Sequence, residues 1–122
     1  MYHINNTKRY ATLFAFIIIV LFAGCRSTPQ LKAGEGYVTV KGGKIWYRIL
    51  GEGKQTPLLM LHGGPGGGMS PKQRRVFDPR LYDVILFDQR GCGKSTPYAS
   101  LDHNTTWHLV ADIERLREAH GL

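Results

Sequence analysis

The stretch LLMLHGGPGGG, residues 58–68, is the strongest indication of the fold, because an apolar run passes directly into a glycine-rich loop. Leu58 to Leu61 show no alternation with polar residues, which is typical of a strand buried on both faces of a parallel sheet. A second run, Val84 to Phe87, leads in the same way into DQRGCGKS at residues 88–95. Ligands of open α/β sheets bind at the loops that follow such strands. The two runs therefore predict an α/β fold with a functional site at these loops.

The residues before the first run predict a β-hairpin. Tyr37 to Val40 and Lys44 to Leu50 flank Gly42-Gly43, and glycine adopts the positive φ angles that a tight hairpin turn needs. Alternate residues from Ile45 to Ile49 are large and apolar or aromatic, with more polar neighbours between them. This alternation is the pattern of a half-buried strand.

One helix is predicted near the end of the sequence. Asn104 or Thr105 can cap its start, and Gly121 stands where a C′ glycine belongs. An apolar stripe at helical spacing, with Val110 at its edge, is formed by Leu109, Ile113 and Leu116. The charged residues predicted to lie largely off this stripe are Asp112, Glu114, Arg115, Arg117 and Glu118.

Charge and cysteine content narrow the classes of function. The formal net charge is +7, but the basic residues form no run and stand beside acidic residues in the predicted helix. A nucleic-acid-binding surface is therefore not expected. The two cysteines, Cys25 and Cys92, cannot form a disulfide framework, and no further ligands lie at zinc-like spacing. No metal site is predicted.

The first residues carry the pattern of an export signal. Lys8 and Arg9 precede an apolar stretch from Ala11 to Ala23 that is interrupted only by Thr12. A basic start, a short apolar segment and small residues at its end are typical of a secretory signal peptide. The stretch of 13 residues is shorter than the ~20 residues that a membrane-spanning helix needs.

The end of this segment, LFAGC at residues 21–25, resembles the lipobox of bacterial lipoproteins. The resemblance implies that residues 1–24 are removed as a signal peptide and that Cys25 is diacylated and becomes the new N-terminus. Residues 25–36 are then the lipidated cysteine and a polar tether to the domain. Arg26 is not the Asp that retains many such proteins at the inner membrane, which favours the outer membrane. An ordinary signal peptide and an uncleaved anchor with a chance cysteine are the alternatives.

The two glycine loops suggest different chemistries. Gly93-Lys94-Ser95 does not complete a phosphate-binding P-loop, which needs glycine at the position of Asp88 and a helix beginning at once, where Pro97 follows. The loop HGGPGGG, residues 62–68, instead fits an oxyanion loop. Backbone N–H groups fixed in advance stabilise the negative charge that develops on a carbonyl oxygen, although Pro65 has no N–H to donate.

Three stretches together resemble the proline iminopeptidase family: LHGGPGGG at 61–68, FDQRGCGKS at 87–95 and NTTWHLVADIERLR at 104–117. They occur in the family's order, and the similarity extends over most of residues 36–122. The resemblance implies a serine aminopeptidase of the α/β-hydrolase fold that removes N-terminal proline from peptides, with no metal or organic cofactor. Residues 37–122 are then the N-terminal part of the α/β-hydrolase domain.

The resemblance also implies roles for individual residues. The backbone N–H of Gly64 would be one oxyanion donor, and His62 would be a structural residue of the loop rather than the catalytic base. The other residues expected to shape the site are Gly63, Pro65 and Gly66 in the first loop and Asp88, Gln89, Arg90 and Gly91 in the second. The histidines interpreted as surface or helix residues are His103, His108 and His120.

The nucleophile of α/β-hydrolases lies in a G-x-S-x-G elbow, and the acid and histidine of the triad follow it. None of the four serines has this context: Ser27, Ser70, Ser95 and Ser100. We therefore expect these 122 residues to be an N-terminal fragment that is inactive alone. Two alternatives stay open: another α/β-hydrolase, such as an esterase or a broad aminopeptidase, and a non-catalytic lipoprotein derived from a hydrolase.

Overall fold

The computed structural model describes residues 31–63 and 66–122. The elements in these ranges are β1 (Gly34–Val40), β2 (Gly43–Leu50), β3 (Thr56–Met60), the 3-10 helix Gln73–Arg75, β4 (Tyr82–Phe87) and α1 (Thr106–Ala119). The predicted signal peptide, residues 1–24, and the predicted lipid attachment site Cys25 lie outside the described residues. Of the helices in the described ranges, none is long and apolar enough to cross a membrane.

The strands form one mixed sheet in the order β1-β2-β4-β3. β1 and β2 are the predicted antiparallel hairpin, β2 also pairs antiparallel with β4, and β3 pairs parallel with β4. The hairpin turns at Gly42, whose φ of +85° lies in the left-handed region that favours glycine. The predicted α/β fold, with a hairpin before a pair of parallel strands, is confirmed.

The interpretation of β2 as a half-buried strand is wrong. Trp46, expected on the polar face, is only 2% exposed, because Met69 and Lys94 cover this face of β2. The indole packs with Met69 and Leu86, and the ammonium of Lys94 lies 4.5 Å from the centroid of its ring. This cation–π contact joins β2 to the second glycine loop.

The two apolar runs differ in burial, although their sequences predict the same environment. Val84 to Phe87 are all buried, as predicted for an inner strand of the sheet. Leu58 to Met60 are only partly buried and Leu61 is exposed, contrary to the prediction of burial on both faces. The reason is that β3 is the last strand of the described sheet and pairs along one edge only.

α1 covers one face of the sheet. Leu116 is buried and Ile113 is partly buried, and both pack in the cluster that contains Val38, Ile45 and Phe87. These three residues come from three different strands, so the helix packs against β1, β2 and β4. Burial of side chains of this size is worth about 1.5–3 kcal/mol each, so the helix face contributes to the stability of the sheet.

The helix α1 ends at the glycine that the sequence predicted as its C′ residue. Gly121 has a φ of +69°, and its N–H donates to the carbonyl of Glu118 at 3.1 Å. The N–H of Leu122 donates to the carbonyl of Arg117 at 3.0 Å. These two bonds are the Schellman arrangement, which satisfies carbonyls that have no partner within the helix. The prediction that Gly121 ends the helix is confirmed.

The chain joins the sheet before the end of the predicted tether. β1 begins at Gly34, inside the range 25–36 that the sequence indicated as a polar tether, and Leu31 is only 6% exposed. Strand pairing at this point uses backbone groups, so polar composition does not reveal it. Gly36 leaves space here for Tyr47 on the neighbouring strand, whose hydroxyl would lie 2.9 Å from a Cβ atom at position 36.

A buried carboxylate fixes the turn between β2 and β3. Asp83 is the second residue of β4, and its carboxylate accepts hydrogen bonds from the N–H groups of Gly53 at 2.8 Å and Gln55 at 2.7 Å. Gly53 has a φ of +73° and lies against the backbone of Leu31, where a Cβ atom would clash with the carbonyl group. Position 53 of this turn therefore has no room for a side chain.

Replacing Gly53→Ala should destabilise the full-length protein by about 2–5 kcal/mol, combining left-handed strain with overpacking against Leu31. Gly42→Ala is the matched control, because Gly42 also has a positive φ but its Cβ atom would meet only ordinary contact with His103, at 3.4 Å. The control should lose only the strain, about 1–2 kcal/mol. Urea denaturation measures both losses, and equal losses would contradict the packing of Leu31 described here.

Candidate active site

The two glycine loops lie side by side at one end of the sheet. β3 and β4 are parallel neighbours, with Met60 in register with Leu86. His62 follows the end of β3, and Asp88 follows the end of β4 directly. The carboxyl ends of adjacent parallel strands thus deliver both loops to the same place, which is where ligands bind in open α/β sheets.

The carboxylate of Asp88 bridges the two loops. Its Oδ1 accepts a hydrogen bond from the N–H of Met69 at 2.6 Å, and its Oδ2 accepts one from the N–H of Lys94 at 2.8 Å. Met69 ends the first loop and Lys94 lies in the second, while Asp88 itself is only 3% exposed. Hydrogen bonds to a buried charged acceptor are short and strong, so this carboxylate sets the spacing between the loops.

Two glycines allow the loops to approach the carboxylate this closely. A Cβ atom on Gly68 would lie 3.0 Å from Oδ1 of Asp88, and one on Gly93 would collide with Oδ2. Gly93 also has a φ of +51°, which favours glycine over other residues. These two glycines are therefore explained by the approach of the backbone to Asp88.

His62 and Gln89 hold the start of the first loop. The N–H of Gln89 donates to Nε2 of His62 at 3.0 Å, and the amide Nε2 of Gln89 donates to the carbonyl of His62 at 2.7 Å. A nitrogen that accepts a bond is unprotonated, so the neutral ring carries its proton on Nδ1, which faces the carbonyl of Gly63 at 3.4 Å. His62 is buried, and its Nε2 is already occupied in this arrangement.

The second loop leaves the sheet after β4 and returns to β2. The Ser95 hydroxyl donates to the carbonyl of Asp88 at 2.5 Å and accepts the N–H of Trp46 at 2.9 Å. Thr96 then pairs with Lys44 through two backbone hydrogen bonds of 2.8 and 2.9 Å. The serine of the Gly-Lys-Ser sequence is therefore fully engaged in the fold, which agrees with the rejection of a phosphate-binding loop.

Arg90 connects the second loop to α1. Its guanidinium makes two bonds to the carboxylate of Asp112, at 2.8 Å from Nε and 2.6 Å from Nη2. Its Nη1 donates to the carbonyl of His103 at 2.8 Å. Both side chains of the ion pair are almost completely buried. The guanidinium is thus committed to the helix and to the segment that leads into it.

The placement of Asp112 off the apolar stripe is wrong. It is buried because Arg90 supplies a bidentate partner inside the helix–sheet contact. Helical spacing could have predicted that Asp112 is buried, since it follows Leu109 by three residues and precedes Leu116 by four. Residues so spaced share a face of a helix, and a lone acid between them needs a buried cation.

The other three histidines of the described residues lie on or near α1. His103 is exposed, and His108 is partly buried with its Nδ1 2.8 Å from the Thr105 hydroxyl. The ring of His120 meets Tyr47 edge-on at 4.5 Å, and burial lowers the pKa of His120. None of these contacts lies at the two glycine loops.

The remaining predicted site residues fall in two groups. Gly64 and Pro65 lie outside the described residues, while Gly63 and Gly66 flank them and are exposed. Gly91 has a φ of +72° and, with Gln89 and Arg90, lines an open groove beside Gly66. Across residues 31–63 and 66–122, no three His, Cys, Asp or Glu side chains converge as metal ligands.

Removing the cation of the buried pair, by Arg90→Met, should lower the free energy of unfolding of the full-length protein by about 3–5 kcal/mol, because Asp112 is left buried without a partner. Adding Asp112→Leu should recover part of this loss. Arg80→Met is the matched control, since Arg80 makes the same two-bonded contact with Asp78 but its side chain is 87% exposed, against 9% for Arg90. Solvent screens such a pair, so the control should change stability little. Equal losses in urea denaturation would contradict the role given to Arg90.

Comparison with known proteins places this arrangement in a family. The family model described as alpha/beta hydrolase fold matches residues 56–122. A proline iminopeptidase of Arabidopsis thaliana is 57% identical over 74 residues, which are 61% of this chain and 20% of that protein. A proline iminopeptidase of Neisseria gonorrhoeae is 47% identical over 89 residues, 72% of this chain and 29% of that protein. The chain thus spans about a fifth to three tenths of the length of these relatives.

Solved structures show the same relationship. A proline iminopeptidase-related protein from Thermus thermophilus superimposes with a TM-score of 0.64 at 33% identity, over 75% of this chain and 34% of that one. Proline iminopeptidase of Mycobacterium smegmatis gives a TM-score of 0.59 at 28% identity, over 73% and 32% of the two chains. Because the family model matches more than half of the chain and includes both glycine loops and α1, this chain belongs to the alpha/beta hydrolase fold family, in which it is similar to the proline iminopeptidases.

Proposed function

We propose that this chain is the N-terminal part of a serine aminopeptidase that releases N-terminal proline from peptides. The observation that carries the proposal is the pair of glycine loops joined through Asp88, in a region that is 47–58% identical to proteins named proline iminopeptidase. The bridge restricts the backbone of both loops, and N–H groups that stabilise a developing negative charge have to be held in position beforehand.

In this proposal the chain supplies the oxyanion side of the reaction. A serine from a later segment attacks the carbonyl carbon of the N-terminal proline, and negative charge moves onto the carbonyl oxygen. The backbone N–H of Gly64 donates a hydrogen bond to that oxygen. Its neighbours prepare the loop: His62 is fixed by Gln89, and Met69 is fixed by Asp88. Preorganised donors of this kind are worth about 10²–10³-fold in turnover.

The same chemistry predicts that residues 1–122 have no activity by themselves. Loss of a triad nucleophile lowers turnover about a million-fold, and no serine of the chain stands in a G-x-S-x-G elbow. Ser95, the last residue of the second loop, has its hydroxyl bonded to the carbonyl of Asp88 and the N–H of Trp46. The residues that would recognise the free amino group of the substrate also lie outside these 122 residues in this proposal.

We further propose that the protein is exported and anchored by lipid on Cys25, with the outer membrane as the favoured location. The support is the sequence LFAGC at the end of the apolar segment 11–23. Attachment of two or more acyl chains gives stable membrane binding, whereas one chain gives only marginal binding. Soluble peptides that reach this side of the membrane would then be the substrates.

The test is turnover by the purified full-length protein, compared on a proline arylamide, an alanine arylamide and a simple ester. The proline arylamide should be cleaved fastest, and Gly64→Pro, which removes the donor N–H, should lower kcat about 10²–10³-fold. Gly67→Ala, which keeps its N–H and whose Cβ atom would make only ordinary contact at 3.6 Å, is the control. Ester turnover equal to or above that of the proline arylamide would favour an esterase instead. Absence of all turnover would favour a non-catalytic lipoprotein.

A further inference from the structure

The point at which the chain enters the folded domain is fixed. Leu31 is buried against Ile49 and Ile85 in a cluster that Leu122 also joins, and its backbone lies against Gly53. From residue 31 onward, the chain therefore has a defined position relative to the sheet. Any force applied through the preceding residues acts on the domain at this point.

This entry point lies at the end of the sheet that is opposite to the glycine loops. Gly53 belongs to the turn before β3, and it is bonded to Asp83 near the start of β4. Leu122 follows the end of α1, whose start is near Arg90 and the second loop. We call this end the anchor pole, defined by Leu31, the turn 51–55, Leu81 and Leu122. The six residues of β4 span about 20 Å, which is the approximate distance from the anchor pole to the loops.

We propose that the anchor pole faces the lipid bilayer and that the two glycine loops face away from it. The proposal rests on the lipid anchor at Cys25 proposed above, and it adds the orientation of the domain. Only residues 26–30 separate Cys25 from Leu31, instead of the longer tether that the sequence indicated. A chain of this length reaches no more than about 20 Å even at full extension.

The short tether makes the inverted orientation unfavourable. If the loops faced the bilayer, the full length of β4 would separate Leu31 from the lipid surface, a distance of about 20 Å. Residues 26–30 could bridge that distance only at full extension. With the anchor pole toward the bilayer, Cys25 and Leu31 lie on the same side of the domain, so no such extension is required.

The side chains of the anchor pole suit a position beside lipid headgroups. Two ion pairs lie at this end, Lys54 with Glu52 at 3.1 Å and Arg80 with Asp78 at 2.7 Å. Leu81, just before β4, is 63% exposed and adds apolar surface at the same end. Lys32, next to Leu31, is also exposed, and a basic side chain at this position favours contact with anionic headgroups.

The experiment uses the full-length lipidated protein in vesicles of phosphatidylethanolamine and phosphatidylglycerol that carry a headgroup-attached acceptor dye. Single donor-labelled cysteines are introduced in a Cys92→Ser background. Glu52→Cys marks the anchor pole, and Leu101→Cys marks the opposite end, where Leu101 is 85% exposed. Energy transfer to the bilayer should be higher from position 52 than from position 101. Inserting a flexible segment of about 20 residues after Ser27 should remove the difference.

The possible outcomes separate the orientation from the anchor. If Cys25→Ser leaves membrane partition unchanged, or if the unchanged protein does not partition, the lipid anchor is wrong and the orientation falls with it. If the protein partitions through Cys25 but position 101 transfers energy as well as position 52 or better, the anchor stands and the orientation is overturned. Higher transfer from position 52, lost on insertion, supports the proposal.

Discussion

The site depends on one buried carboxylate that holds two glycine-rich loops at once. Asp88 directly follows β4 and accepts backbone hydrogen bonds from Met69 and Lys94, each at the far end of a glycine-rich stretch. Glycine loses more conformational entropy on ordering than any other residue, so such stretches do not adopt one conformation without strong partners. A negative charge that is removed from water provides them, because its hydrogen bonds cannot be replaced by solvent.

Three consecutive residues directly after the end of β4 each bond to a different part of the fold. Asp88 joins the two loops, Gln89 joins His62 at the end of β3, and Arg90 joins Asp112 on α1. The position after β4 is therefore the point where the loops, the parallel strands and the helix are tied together. These connections are buried or partly buried, which reduces their exchange with water, and a rigid support of this kind is what an oxyanion donor requires.

The sequence predicted features whose signals are local. The hairpin at Gly42, the buried run of β4 and the glycine that ends α1 each depend on a few neighbouring residues, and the structure confirms them. The loops could be located because parallel strands deliver their carboxyl ends to one edge. The motifs also pointed to the family, although Gly64, the oxyanion donor that the resemblance implies, lies outside the described residues.

Features that depend on partners far along the chain were not predicted. Trp46 is buried because β4 and the second loop cover it, and Asp112 is buried because Arg90 lies opposite. Leu31 is buried by residues from β2, β4 and the end of α1. The partly exposed β3 shows the reverse error, since its apolar run predicts a central strand and the described sheet leaves it at an edge.

The most direct test of this account is amide hydrogen exchange at Met69 and Lys94 in the full-length protein. If Asp88 holds both loops, the two amides should be strongly protected. Asp88→Asn should expose at least one of them, because a carboxamide offers one acceptor oxygen where the carboxylate offers two. The amide of Gly53, bonded to Asp83, should stay protected and show that the fold persists. Exchange of Met69 and Lys94 at the rate of open loops in the unchanged protein, or unaltered protection in Asp88→Asn, would contradict the account.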